Sequence, residues 1–226
     1  MEFDFLALWD NKALLAEGFL TTLVISFFAI PISIVMASGI VFMRISKNKT
    51  VRLIAASYVE IIRNIPFLIQ IFMVFYALPF FGIRLSGLPI GIICLSIYGS
   101  AYFVEIFRGG IAAVPRGQFD ASKALGLGYF FYMRKVIFPQ LLGYIIPPGS
   151  NIAITMVKES SLLSMITIAE LTYMAHDVNG RTFSPVEVFT TIAVLYWTIS
   201  TALMVLSEWV QKKMQVEEAL DVQLIR

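Results

Sequence analysis

Apolar positions in this chain come in long blocks rather than in a strand or amphipathic-helix period. Runs poor in charge cover residues 18 to 43, 65 to 83, 85 to 104, 138 to 165 and 188 to 207, and the fourth is charge-free as far as residue 157. A bilayer's hydrocarbon core, about 30 Å thick, needs about 20 helical residues to cross it. Each run therefore predicts a transmembrane helix. A transmembrane barrel would show alternating segments of about ten residues, whereas these runs are apolar on every face. The pattern predicts an all-α, polytopic membrane protein with five spans in a single domain, 1 to 226.

One polar island interrupts the blocks. Residues 108 to 137 hold Arg108, Arg116, Lys123, Arg134 and Lys135, the single acid Asp120, and five glycines between two spans. The segment must face water. It is rich in helix formers such as Ala121, Ala124 and Leu125, which predicts a folded element rather than a slack loop.

Composition agrees with the blocks: 58% of the 226 residues are apolar and 14% charged, against about 25% charged in soluble domains. Acids rather than lysines (Glu2, Asp4, Asp10, Glu17) precede the first run, which argues for a retained span over a cleaved signal peptide. Cys94 is the only cysteine and falls mid-span, so it reads as a small core residue.

Basic residues orient the chain. Twelve (Arg44, Lys47, Lys49, Arg52, Arg108, Arg116, Lys123, Arg134, Lys135, Lys212, Lys213, Arg226) fall on one set of alternating loops, and three (Lys12, Arg84, Arg181) on the other. The positive-inside rule then places the N-terminus outside, with the island and the C-terminus in the cytoplasm.

Within the island, Asp120-Ala121-Ser122, then Gly126, then Val136-Ile137-Phe138-Pro139 resemble the EAA loop of bacterial ABC importer permeases: Glu-Ala-Ala, three residues, Gly, nine residues, Ile-x-Leu-Pro. Asp stands for Glu, Ser for Ala, Val for Ile and Phe for Leu. Arg63-Asn64-Ile65-Pro66 with Gln70, Glu105 to Gly110, Gly117-Gln118 and Lys158 to Leu162 are similar to the polar amino acid uptake branch of that family.

The resemblance implies a type I, MetI-like permease fold in the bacterial inner membrane. It also implies a second permease subunit, identical or homologous, two ATP-binding subunits and an extracytoplasmic amino-acid-binding protein. ATP and magnesium would sit on the ATPase partner, and the absence of a GxxxxGK[ST] phosphate loop from this sequence is in keeping with that. Membrane lipid is the remaining partner; no nucleic acid, metal or catalytic residue is assigned.

Gly117, Gln118, Asp120, Ala121, Ser122, Gly126 and Pro139 are the expected ATPase-coupling residues. Gly117 is expected to end the preceding segment and Asp120 to lie near a helix start, where a carboxylate suits the dipole. Gly126 and Gly128 would make the turn, Tyr129 to Tyr132 would offer apolar area to a partner or to the membrane interface, and Pro139 would open the next span.

Polar groups at bilayer depth tend to face a protein interior or a water-filled path. Asn151, Thr155, Lys158, Glu159, Ser160 and Ser161 are the path candidates, with a helix break expected at Pro147-Pro148-Gly149. Glu159 would meet an ammonium or guanidinium group, and Asn151, Ser160 and Ser161 would hydrogen-bond to the rest of an amino acid. The competing reading pairs Lys158 and Glu159 with neighbouring helices. Glu60 with Arg63, and Glu105 with Arg108, are spaced as i,i+3 salt bridges.

The function these features predict is import of polar amino acids. The alternative is a self-contained secondary transporter or channel for a small polar solute. A membrane enzyme has less support, because the lone His176 is distant in sequence from Ser160 and Ser161.

Overall fold

A computed structural model describes residues 5 to 83, 85 and 87 to 213. Arg84, Arg226 and the tail beyond residue 213, which entered the charge count, lie outside the described residues. Ten α-helices follow in order: α1 Phe5–Asp10, α2 Lys12–Arg44, α3 Lys49–Asn64, α4 Phe67–Ala77, α5 Leu88–Ala113, α6 Arg116–Ala124, α7 Tyr129–Tyr132, α8 Phe138–Glu159, α9 Leu171–Thr182 and α10 Pro185–Lys213. No strand occurs among the described residues.

Three of the helices, α2, α5 and α10, are each long and apolar enough to cross a membrane. Two further crossings are bent pairs: α3 with the segment Phe67–Phe81, at 107°, and Tyr129–Ile166 with α9, at 52°. The second apolar block is thus only the latter limb of a bent unit. Its first limb is amphipathic, carrying charge at Arg52, Glu60 and Arg63, so no charge-free run marks it.

The bend after α3 has a local cause. Pro66 forces Ile65 into an extended conformation (φ −96°, ψ 131°) and ends the helix. Gln70 then donates from Nε2 to the carbonyls of Ile62 and Ile65, at 2.8 Å each, stitching the two limbs together. That gives a physical role to the spaced Pro66 and Gln70.

At the centre lies α5, packed along α2, α3 and α8. Its Cys94, Leu95, Tyr98 and Val104 meet Ile25, Ala29 and Ala37 of α2, with Met156 of α8 and Leu163 completing the core. Cys94 is buried there as an apolar filler. Tyr58 of α3 and Ser100 of α5 share a 2.6 Å hydrogen bond. Lipid tails give helices little hydrophobic reason to associate, so such packing and interhelical bonds hold the bundle.

A second core forms where α9 meets α2 and α10, around Leu15, Leu171, Ala175, Val178 and Val188. Gly18 permits this approach: a Cβ there would lie 2.9 Å from the Leu171 Cα. Beside it, Thr22 Oγ1 accepts the Leu171 amide at 3.1 Å. Glu170 is wholly buried and caps α9 by accepting the Thr172 and Tyr173 amides at 3.0 and 2.8 Å. Tyr196 of α10 donates its hydroxyl to the same carboxylate at 2.7 Å.

Candidate functional site: a loop helix pair and the polar face of α8

The island folds as α6, a turn, and α7. Pro115 is the N-cap of α6 and leads straight into it, so Gly117 lies inside the first turn rather than ending the preceding segment, as its sequence position suggested. Asp120 is correspondingly mid-helix and exposed, and no acid occupies the first turn. The expected carboxylate at the positive end of the dipole is therefore not found.

Closure of α6 rests on Gly126. The Leu127 amide reaches the Ser122 carbonyl at 3.1 Å, and the Gly126 amide reaches Lys123 at 2.9 Å. These two bonds form a Schellman cap, which needs a left-handed residue at Gly126, where φ is +68°. Gly128 is extended instead (φ −62°, ψ 147°) and is the N-cap of α7, so only one of the two glycines supplies the left-handed turn.

The loop has its own small core of Val114, Tyr132 and Ile137, with Phe119, Leu127 and Val136 packed on it. Tyr132 is thus committed inward, and Ser122, also buried, donates to the Gln118 carbonyl at 2.7 Å. Outward stand Leu125, Tyr129, Phe130 and Phe131, with Phe130 86% exposed. Gly117, Gln118, Asp120 and Ala121 share the open surface of α6. Leu125 lies between the fixed positions of the loop motif, and its place beside the capping glycine is the signal.

Pro139 stands in the first turn of α8, as expected, but no break in the chain's helical course precedes it. A π-helical turn, Met133–Ile137, joins α7 to α8 without interruption, with the Phe138 amide on the Met133 carbonyl. A proline ring clashes with the carbonyl four residues earlier, and the widened turn makes room for it. The loop surface and α8 are thereby one rod from Tyr129 to Glu159.

Pro147 and Pro148 lie within α8, and Gly149 continues it, so the break expected there is absent. The chain changes course later, through a 3₁₀ turn Ser160–Ile166 that ends at Thr167 with φ +60°. Lys158 and Glu159 therefore stand at the C-terminal end of α8.

Asn151, Thr155 and Lys158 recur at separations of four and three along α8; Asn151 and Lys158 are exposed, and Glu159 is half-buried nearby. Neither Lys158 nor Glu159 enters an ion pair among the described residues. The Thr155, Ser160 and Ser161 hydroxyls donate to their own backbone, on the carbonyls of Asn151, Val157 and Lys158 at 2.7 to 2.8 Å. Ser160 is buried, so it does not join this face. Of these, only Asn151, Lys158 and Glu159 have polar heads with no side-chain hydrogen bond or ion pair among the described residues, and the charges of Lys158 and Glu159 act on each other.

A second polar group stands where α2 ends. Glu105 accepts from Arg108 at 2.6 Å and faces Arg44 at 3.4 Å, so the predicted i,i+3 pair forms and recruits a third partner. The expected Glu60–Arg63 bridge does not form. Arg63 instead lies over the Tyr102 ring, 5.2 Å from its centroid.

The family model for the binding-protein-dependent transport system inner membrane component matches residues 17–216. A probable glutamine ABC transporter permease protein of Bacillus subtilis is 34% identical over 208 residues, covering 92% of this chain and 96% of the relative. A nopaline transport system permease protein of Agrobacterium fabrum is 35% identical over 202 residues, covering 84% of each. Among solved structures, an amino acid ABC transporter crystallised with histidines has a TM-score of 0.86 at 34% identity, covering 94% of this chain and all of that one. The inward-facing MetNI methionine ABC transporter, at 20% identity and a TM-score of 0.74, shares the fold. With the all-helical bundle and its loop helix pair, these likenesses place the chain in the family of binding-protein-dependent transport system inner membrane components, as an ABC importer permease of the polar amino acid type.

Proposed function

We propose that the chain works as half of a transmembrane pathway for polar amino acids, paired with a second copy or a homologue and driven by two ATP-binding subunits. A binding protein delivers the substrate from outside. The N-terminus is external, and the loop and C-terminus are cytoplasmic, as the distribution of basic residues indicates. ATP and magnesium belong to the ATPase partner.

The observation that carries this reading is the rod from Tyr129 to Glu159. An exposed apolar surface, Leu125 with Tyr129, Phe130 and Phe131, caps one end, and the uncommitted Asn151, Lys158 and Glu159 occupy the other. Movement of a docked partner against α6 and α7 is thus delivered to the polar face along one continuous helical path. At that face, the carboxylate of Glu159 and the negative end of the α8 dipole favour a substrate ammonium or guanidinium group. Asn151 supplies both a donor and an acceptor.

The test is co-purification of the permease with its ATPase, followed by receptor-dependent, ATP-driven uptake in proteoliposomes. Uptake that persists without an ATPase would support a secondary transporter instead. For the face itself, Glu159→Gln is expected to change the ranking of transported amino acids; an unaltered ranking in an intact complex removes Glu159 from the path. A reporter fused at the C-terminus should behave as cytoplasmic.

A further inference from the structure

The side of α8 turned away from Asn151 and Lys158 is also open, and it is apolar. A groove of about 510 Å³ runs there between α2, α5 and α8, walled by Ile34 and Val41 of α2, Phe103 and Phe107 of α5, and Leu142 and Ile146 of α8. The two serines on its lining add little polarity, because Ser38 donates to the Ile34 carbonyl and Ser150 to the Ile146 carbonyl, both at 2.8 Å. Such a groove offers nothing to a polar amino acid.

Its length suits a single leaflet. The lining residues of α2 run from Ile30 to Phe42, about 18 Å of helix at about 1.5 Å per residue, and half of a hydrocarbon core about 30 Å thick is about 15 Å. Ile30 stands near the middle of the charge-free run 18 to 43, so the groove occupies the half of the membrane on the loop side. It also faces away from the path proposed above. Asn151 follows Leu142 by nine residues, about two and a half helical turns, and so lies on the opposite side of α8. Two subunits joined through their α8 polar faces leave this groove to lipid.

Positive charge stands at the loop end of the groove. Phe138 lines it where α8 begins, and Arg134 and Lys135 precede Phe138 by four and three residues, which sets them about one turn beyond it on the same side of the rod. Both are exposed, and the ion pairs among the described residues engage Arg44, Arg108 and Arg181 instead. No acid occurs in the sequence from Ala121 to Lys158 to neutralise them. Adjacent cations over an apolar groove between membrane helices complement a phosphate that carries acyl chains.

We propose that this groove binds an anionic phospholipid of the leaflet on the loop side, the cytoplasmic one in the orientation given above. An acyl chain lies against Phe103, Phe107 and Leu142, and Arg134 and Lys135 receive the phosphate. The lipid thereby anchors the π turn, where the loop helices pass into α8, and fixes the depth at which the rod starts. The site rests on the permease reading only for the direction in which α8 turns its polar face.

The test is lipid retention by the purified, delipidated complex of permease and ATPase, measured by native mass spectrometry with phosphatidylglycerol against phosphatidylcholine of the same acyl chains. The native complex is expected to hold phosphatidylglycerol roughly 30-fold more tightly, as two cations near one phosphate imply, and Arg134→Gln with Lys135→Gln together should erase that preference. The charge-keeping Arg134→Lys should retain it. Ser38→Phe places a ring in the groove without touching either charge, and should lower retention of phosphatidylglycerol. All three positions are exposed, and the melting temperature of each variant monitors folding. Equal retention of the two lipids by the native complex overturns the site. So does a preference that survives in the doubly neutralised variant, which assigns the two cations to the docked ATPase where that subunit is lost as well. Native retention in Ser38→Phe overturns the groove as the seat of the chain. A disulfide between two copies carrying Ser38→Cys, in a Cys94→Ser background, gives the groove to a second subunit and overturns the site too. A complex that retains phosphatidylglycerol as expected but takes up no amino acid overturns the permease reading and leaves the lipid site standing.

Discussion

At Gly126 the demand is conformational, not spatial. Its φ of +68° is required by the cap that ends α6, yet no atom lies within 4 Å of where a Cβ would stand. A non-glycine residue in that conformation costs about 1 to 2 kcal/mol, least for Asn. Gly126→Val is therefore expected to insert normally but to lose co-purification with the ATPase, while Gly126→Asn retains most of it. Equal recovery of the ATPase with the Val variant would show that the cap does not shape the docking surface. Phe130 has a different role, since it is largely exposed and supports little inside the chain. Phe130→Ala should leave the melting temperature unchanged and weaken the ATPase by about 2 kcal/mol, roughly 30-fold in Kd, if it is a central docking contact. A titration showing native affinity would return Phe130 to the membrane interface.

Among the elements, legibility followed charge. Helices α2, α5 and α10 each contain an unbroken apolar run, and the sequence pattern shows them directly. The amphipathic α3 was hidden because its charges resemble those of a loop, although Asn48 caps it by accepting the Thr50 amide at 2.9 Å. The segment that became α9 looked like an external loop, because its cap is a buried glutamate rather than the usual Ser, Thr, Asp or Asn. The loop motif was readable in its spacing, but not the burial of Ser122 and Tyr132 or the π turn before Pro139; those depend on how α7 meets α8. Two measurements probe the α9 cap. Glu170→Ala removes the acceptor for two amides and the Tyr196 hydroxyl at once, and should cost about 3 kcal/mol, read as a lowered melting temperature of the detergent-solubilised permease. Gly18→Val forces α2 away from the Leu171 backbone and should cost about 1 to 3 kcal/mol in the same assay. Native melting in either variant would mean that α9 is not held by this contact.

For the whole molecule, the question is what covers the polar side of α8. In an isolated subunit Asn151 and Lys158 are exposed on a helix that belongs to a candidate span, and polar side chains exposed to lipid are costly. The apolar side chain of Val35 on α2 is exposed as well, at 72%, but lipid suits it. Two subunits that place their α8 faces together would convert the first surface into a wet, enclosed path and leave the second in the bilayer. The two surfaces should then differ in their access to water. In a background where the buried Cys94 is replaced by Ser, a cysteine at position 151 (Asn151→Cys) is expected to react with a membrane-impermeant maleimide in the assembled transporter, and to do so at different rates with and without ATP. A cysteine at position 35 (Val35→Cys) should remain unlabelled in both conditions. Equal labelling at the two positions would mean that the α8 face opens to lipid rather than to a path. Labelling at 151 that ignores nucleotide would uncouple the face from the loop at the other end of the rod.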